Sequence, residues 1–126
     1  MQRILLVCND LVMRDELTLF LHHSGFRVAS TMESRQVVAE MARTRPDLIL
    51  LRENTRRGNG DELCIHIREL SDIPIIVLGY ALEQADGVEM LEMGADAYLT
   101  SPLNSRELLA RIRRLLRRTQ YLGETS

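Results

Sequence analysis

No lysine occurs anywhere in the 126 residues, and all sixteen basic side chains are arginine. That absence excludes a P-loop lysine, a Schiff base and any lysine-mediated switch. Cysteine is scarce as well. The two present, Cys8 and Cys64, fall inside a strand pattern and a helix pattern. A chain of this length buries roughly two thirds of its unfolded surface, enough for a core without disulfide staples. Neither a signal peptide nor a long apolar span is read, so a reducing cytosol is the expected compartment and no membrane partner is expected. An excess of one charge is also lacking. The formal net charge of −2 argues against a domain that holds nucleic acid by its bulk field.

What is present is alternation. Short apolar runs at Ile4–Val7, Arg27–Ser30, Leu48–Leu51, Ile73–Leu78 and Ala97–Thr100 read as strands. Between and after them lie stripes of helical period. Met13, Leu17, Phe20 and Leu21 mark the first, Val37, Val38 and Met41 the second, and Leu63, Ile67 and Leu70 the third. Val88 and Leu91 mark a fourth, and Leu108, Leu109, Ile112, Leu115 and Leu116 a fifth. Gly25 and Gly94 suit left-handed helix ends, and Asn104 with Glu107 forms a capping pair for the last helix. Strict β-α alternation predicts one α/β domain with a parallel sheet between helices on both faces. Residues 1–119 form that domain, and the polar tail 120–126 reads as a linker stub.

The third run, Pro46-Asp47-Leu48-Ile49-Leu50-Leu51-Arg52, delivers its last side chain to the carboxyl edge of the sheet, where open α/β folds place their chemistry. The residue delivered is a permanent cation. Arg52 therefore points away from ordinary phosphoryl chemistry.

Arg3-Ile4-Leu5-Leu6-Val7, Pro46 through Leu51, Ile73 through Leu78, Gly94-Ala95-Asp96-Ala97-Tyr98-Leu99, Pro102 and Arg106 through Ile112 together resemble the receiver domain of two-component response regulators. The likeness covers about residues 2 to 119, and the ending from Glu107 to Arg118 is most similar to receivers that precede a winged-helix DNA-binding domain. The resemblance implies a flavodoxin-like (βα)5, three-layer fold, doubly wound, with strand order 2-1-3-4-5. In that family a histidine kinase passes a phosphoryl group to an aspartate at the end of the third strand. Here that position is Arg52. The acidic pair that helps hold Mg²⁺ falls on Cys8 and Asn9, and only the following Asp10 keeps a carboxylate. Asn54 matches the position whose carbonyl binds the metal, Gly79 the switch hydroxyl, and Ser101 the phosphate-contacting lysine. Tyr98 matches the aromatic that swings with phosphorylation. The resemblance thus implies an atypical receiver with a degenerate pocket.

No Mg²⁺ and no other cofactor is expected. A hard divalent cation wants several oxygen ligands, and a guanidinium about 5 Å away adds repulsion of about 7 kcal/mol at an effective dielectric near 20. Enzymatic turnover is not expected, because no nucleophile and base pair or metal cluster assembles from this sequence. Arg52 has two readings. Its charge stands in for the family's metal, pairing with Asp10 or donating to Asn9 and loop carbonyls; or Arg52, Arg56 and Arg57 form an anion-binding loop with Asn54, Gly58, Asn59 and Gly60. Asp10 equally suits the N-cap of the first helix. Cys8 is either a small packing residue or, beside Arg52, a redox-sensing thiol.

Arg106, Arg111, Arg113, Arg114, Arg117 and Arg118 surround the apolar stripe of the last helix. Without aromatic interleaving they read as a solvated or partner-facing side, not as a direct nucleic-acid surface. The resemblance implies a symmetric homodimer through the fourth helix, fifth strand and fifth helix. Asp96, Glu107, Arg111 and Arg118 match its crossed charges, while Gly87 and Ala97 replace two charged partners. The expected function is phosphorylation-independent signalling by protein–protein contact, with a partner protein or a C-terminal DNA-binding domain outside this chain. The anion-loop and thiol readings supply the alternatives.

Overall fold

A computed structural model of the protein describes residues 1–52, 59–79, 88, 91–100 and 102–124. Five parallel strands make its sheet: β1 (Arg3–Val7), β2 (Arg27–Thr31), β3 (Leu48–Arg52), β4 (Ile75–Gly79) and β5 (Ala97–Thr100). Their order is β2-β1-β3-β4-β5, as expected. Among the described residues the helices are α1 (Leu11–His23), α2 (Val37–Thr44), α3 (Asn59–Leu70) and the C-terminal α4 (Ser105–Glu124), with a short 3-10 turn at Ser34–Gln36.

The central strands are apolar on both faces because both faces are covered. Ile4, Leu6, Leu50, Ile76 and Leu78 meet Leu17 and Leu21 of α1 and Leu108, Ile112 and Leu116 of α4. On the other face Leu5, Val7, Ile49, Leu51, Ile75 and Val77 meet Val37 of α2 and Leu63, Cys64 and Ile67 of α3. A single parallel register carries the alternation across the sheet, pairing Val7 with Leu51, Leu51 with Val77 and Val77 with Tyr98. Every one of these side chains therefore lies on the same face.

The helix ends follow the expected chemistry. Asp10 caps α1, its Oδ1 accepting from Met13 N at 3.1 Å. Gly25 has φ +98° just past that helix, where Phe26 N donates to Leu21 O and closes the turn. Asn104 Oδ1 accepts from Arg106 N and Glu107 N, both at 3.0 Å, opening α4.

Several expectations shift. The strand expected from Ile73 starts at Ile75, and α4 runs from Ser105 to Glu124. Leu70 is 56% exposed while Cys64 is fully buried, so the inward face of α3 is Leu63, Cys64 and Ile67. Most of the expected fourth helix lies outside the described residues. Its two marker residues, Val88 and Leu91, are 61% and 48% exposed rather than buried.

Candidate functional site

The carboxyl edge of the sheet gathers the ends of β1, β3 and β4. Val7 pairs with Leu51 and Arg52 pairs with Leu78, so Cys8 comes abreast of Arg52 at the mouth of the edge. Arg52 is half-buried and its Nε is fully enclosed. Asn9 and Asp10 are exposed. The Asp10 carboxylate holds the first turn of α1, in agreement with its reading as an N-cap.

Cys8 is buried and its amide donates to Thr31 O at 3.0 Å. Its Sγ donates to Asp10 O at 3.5 Å. Burial pushes the thiol pKa up, and the hydrogen bond to the Asp10 carbonyl, Arg52 and Arg14 oppose this without reversing it. Burial of Cys8 in the core cluster fits the packing reading, while the redox-sensing reading calls for an accessible thiolate. Arg14 is the residue near this edge that sequence reasoning missed. Its amide bonds Asp10 O one helical turn on, and it brings a second guanidinium within electrostatic reach of Cys8. The i+4 spacing from the capping Asp10 was the available signal.

Gly79 and Tyr98 form the other half of the site. Both lie on the face shared with Val77, and Tyr98 is half-buried against the core formed by α2 and α3. The tyrosine ring occupies the space that any side chain at position 79 would need. A Cβ built there would stand 2.8 Å from Tyr98 Cε2 and closer still to Cζ and Oη. Glycine at the end of β4 is thus what lets the Tyr98 ring turn inward across the strand end.

Asp96, expected on a dimer face, is committed within the chain. Its Oδ2 accepts from Ile75 N at 2.8 Å and from Arg68 Nη2 at 3.0 Å. The rest of the Arg68 fork holds Gly94 O, Ser71 O and Ile73 O. Arg68 therefore clamps the end of α3 to the starts of β4 and β5, a role the sequence did not announce. Glu107, Arg111 and Arg118 are exposed on α4, and their spacing of four and seven residues puts them on one solvent face. Asn54, Arg56, Arg57, Gly87 and Ser101 lie outside the described residues, and with them the greater part of the expected anion loop.

Three comparisons place the chain among known proteins. A response regulator receiver domain family model matches residues 4–113. The chain is 38% identical over 117 residues to the DNA-binding response regulator MtrA of Mycobacterium tuberculosis, covering 93% of this chain and 51% of that protein. It is 34% identical over 118 residues to the sensory transduction protein RegX3 of Mycolicibacterium smegmatis, covering 94% and 52%. It spans about half the length of these curated relatives. Among solved structures, the BeF3-activated N-terminal receiver domain of RstA from Klebsiella pneumoniae superposes with a TM-score of 0.86 at 28% identity, covering 92% of this chain and 99% of that one.

Proposed function

The chain belongs to the response regulator receiver family of two-component signalling, and we propose that within it this domain signals without being phosphorylated, through a conformation fixed by its own side chains. The observation that carries the reading is the Tyr98 ring seated over Gly79. In the family the aromatic moves when a hydroxyl at the strand end is drawn to a phosphoryl group. Here no side chain at position 79 competes for the space or follows a phosphate, so the ring stays inward.

The pocket chemistry favours the same reading. Arg52 offers no acyl-phosphate acceptor, and a guanidinium carries no carboxylate oxygen for a metal. The Asp10 carboxylate already caps α1, burial raises the Cys8 thiol pKa, and Arg14 adds a second positive charge nearby. That donor set does not fit Mg²⁺, and the proposed activity needs no metal and no turnover. Output then rests on contact: a homodimer through the fourth-helix region, β5 and α4, and a DNA-binding partner domain of the kind named in the curated relatives. Because Asp96 is engaged by Arg68 and Ile75, charge across that interface falls to Glu107, Arg111 and Arg118.

The deciding experiment is exposure of the protein to acetyl phosphate and Mg²⁺ followed by intact-mass measurement. The expected spectrum shows the unmodified mass. A stoichiometric phosphoryl adduct, acid-labile or acid-stable, would overturn the reading.

A further inference from the structure

At the opposite, amino edge of the sheet lies a groove of about 300 Å³ lined by Arg3, Ile4, Arg27, Val28, Ala29, Arg43 and Thr44. Arg3 and Arg27 open β1 and β2 and are register partners, so their side chains leave the sheet side by side on the face covered by α2. Like charges directly opposite each other on neighbouring strands repel. The surroundings offset this unevenly. Arg43 is engaged by Glu40 at 2.6 Å, and Arg3 Nη1 donates to Thr44 O at 3.3 Å. Asp47 Oδ2 accepts the Arg3 amide at 2.8 Å. The Arg27 guanidinium makes no hydrogen bond or ion pair with any described residue. Three guanidiniums thus face two carboxylates, both already bonded, beside Ala29, which shares their face of the sheet.

We propose that this groove binds a small multivalent oxyanion, with Arg27 and Arg3 gripping the charged group and the body of the ligand lying against Ala29 on the same face. Arginine suits this task because its planar fork presents paired donors to phosphate or carboxylate. The volume fits a metabolite rather than a macromolecule. The site is at the end of the strands away from Arg52, so it is independent of the degenerate phosphoryl pocket and of the function proposed for it. Phosphate and paired carboxylates share the required chemistry, and two probes separate them.

The test is an amide NMR titration of the full chain with sodium pyrophosphate and, separately, with citrate, in about 0.1 M salt so that diffuse attraction is largely screened. At least one probe is expected to give saturable shifts centred on Arg3, Ile4, Arg27 to Ala29, Arg43 and Thr44; pyrophosphate alone assigns the ligand to phosphates, citrate alone to carboxylates. Arg27→Glu is expected to weaken binding by about tenfold or more, the effect of losing a charge-assisted hydrogen bond, while Arg27→Lys retains part of it. Should Arg27→Glu fail to fold, Arg27→Gln supplies the same comparison. Absence of saturation with both probes, shifts centred on Cys8 and Leu78 instead, or unchanged affinity in a folded Arg27 variant would overturn the proposal.

Discussion

Replacing Gly79 by threonine puts the Tyr98 seat to a direct test. The new Cβ would stand 2.8 Å from Cε2 of the ring, with Cζ and Oη nearer still, so ring and side chain cannot share the space. The far end of a tyrosine is the movable party, and the ring is expected to rotate outward instead of the strand shifting. Returning on the order of 100 Å² of apolar ring surface to water costs about 2.5 kcal/mol. A β-branched residue in place of glycine within a strand offsets about 1 kcal/mol of that. The net loss is about 1.5 kcal/mol, which lowers a urea midpoint by about 1 M for a domain of this size. A double-mutant cycle with Tyr98→Ala isolates the contact. With the ring gone, the three atoms nearest a Cβ at position 79 are removed and threonine is expected to be neutral or stabilising, so the two backgrounds differ by about 2 kcal/mol. The Tyr98 ring resonances should move at the same time toward those of a solvated tyrosine. An equal penalty for Gly79→Thr with and without the ring would show that the two positions do not compete, and the fixed-conformation argument would fail with it.

Arg52→Asp alone is expected not to restore beryllofluoride binding, because Cys8, Asn9, Gly79 and Ser101 still lack the carboxylates, hydroxyl and lysine that stabilise the acceptor's phosphoryl analogue; binding at the affinity of active receivers would refute this. A homodimer with a dissociation constant on the order of micromolar is expected, since surface charge pairs contribute about 1 kcal/mol or less each and apolar contact must supply the rest. Sedimentation of the wild type and of Arg111→Glu/Arg118→Glu checks it, and equal association of the two would move the interface elsewhere. Asp96→Ala should lower stability by about 2 to 3 kcal/mol in urea melts by stripping Ile75 N and Arg68 of their shared acceptor; a loss within about 0.5 kcal/mol would show that the clamp contributes little.

The sheet was legible because its central strands are buried on two faces. Runs such as Leu48 to Leu51 and Ile75 to Leu78 have no solvent side to interrupt them, and β1, β3 and β4 follow directly. Helix faces were legible to within a turn. In α3 the 3.6-residue period pointed to Leu70, but the core takes Cys64 instead, since periodicity tells which side is apolar and not where the helix stops overlying the sheet. Arg52 and Gly79 could be placed at the strand ends from the sequence because those ends are fixed by the same buried runs. The Arg68 clamp was not legible. Its partners lie 26 and 28 residues away at Gly94 and Asp96, and an arginine beside an apolar stripe carries no mark of a distant carbonyl. The seating of Tyr98 over Gly79 likewise belongs to neighbouring strands and not to any local pattern.

The same geometry makes the proposed loss of pocket chemistry compatible with the receiver fold. Burial on the central strands ends where the pocket begins: Val7 and Cys8 are enclosed and Asn9 is exposed, and Leu51 is enclosed while Arg52 is only half-buried. The apolar contacts that hold the sheet to its helices are complete one residue before the functional edge. Substitutions at that edge therefore fall largely outside the terms that dominate stability, which are buried area and packing. The exceptions are Cys8, itself part of the core against α1, and Gly79 with Tyr98, since the ring joins the edge to the core formed with α2 and α3. If the signal is independent of phosphate, as proposed, it has to be held by a contact of this kind, one that is part of the packed interior and reaches the surface at β5.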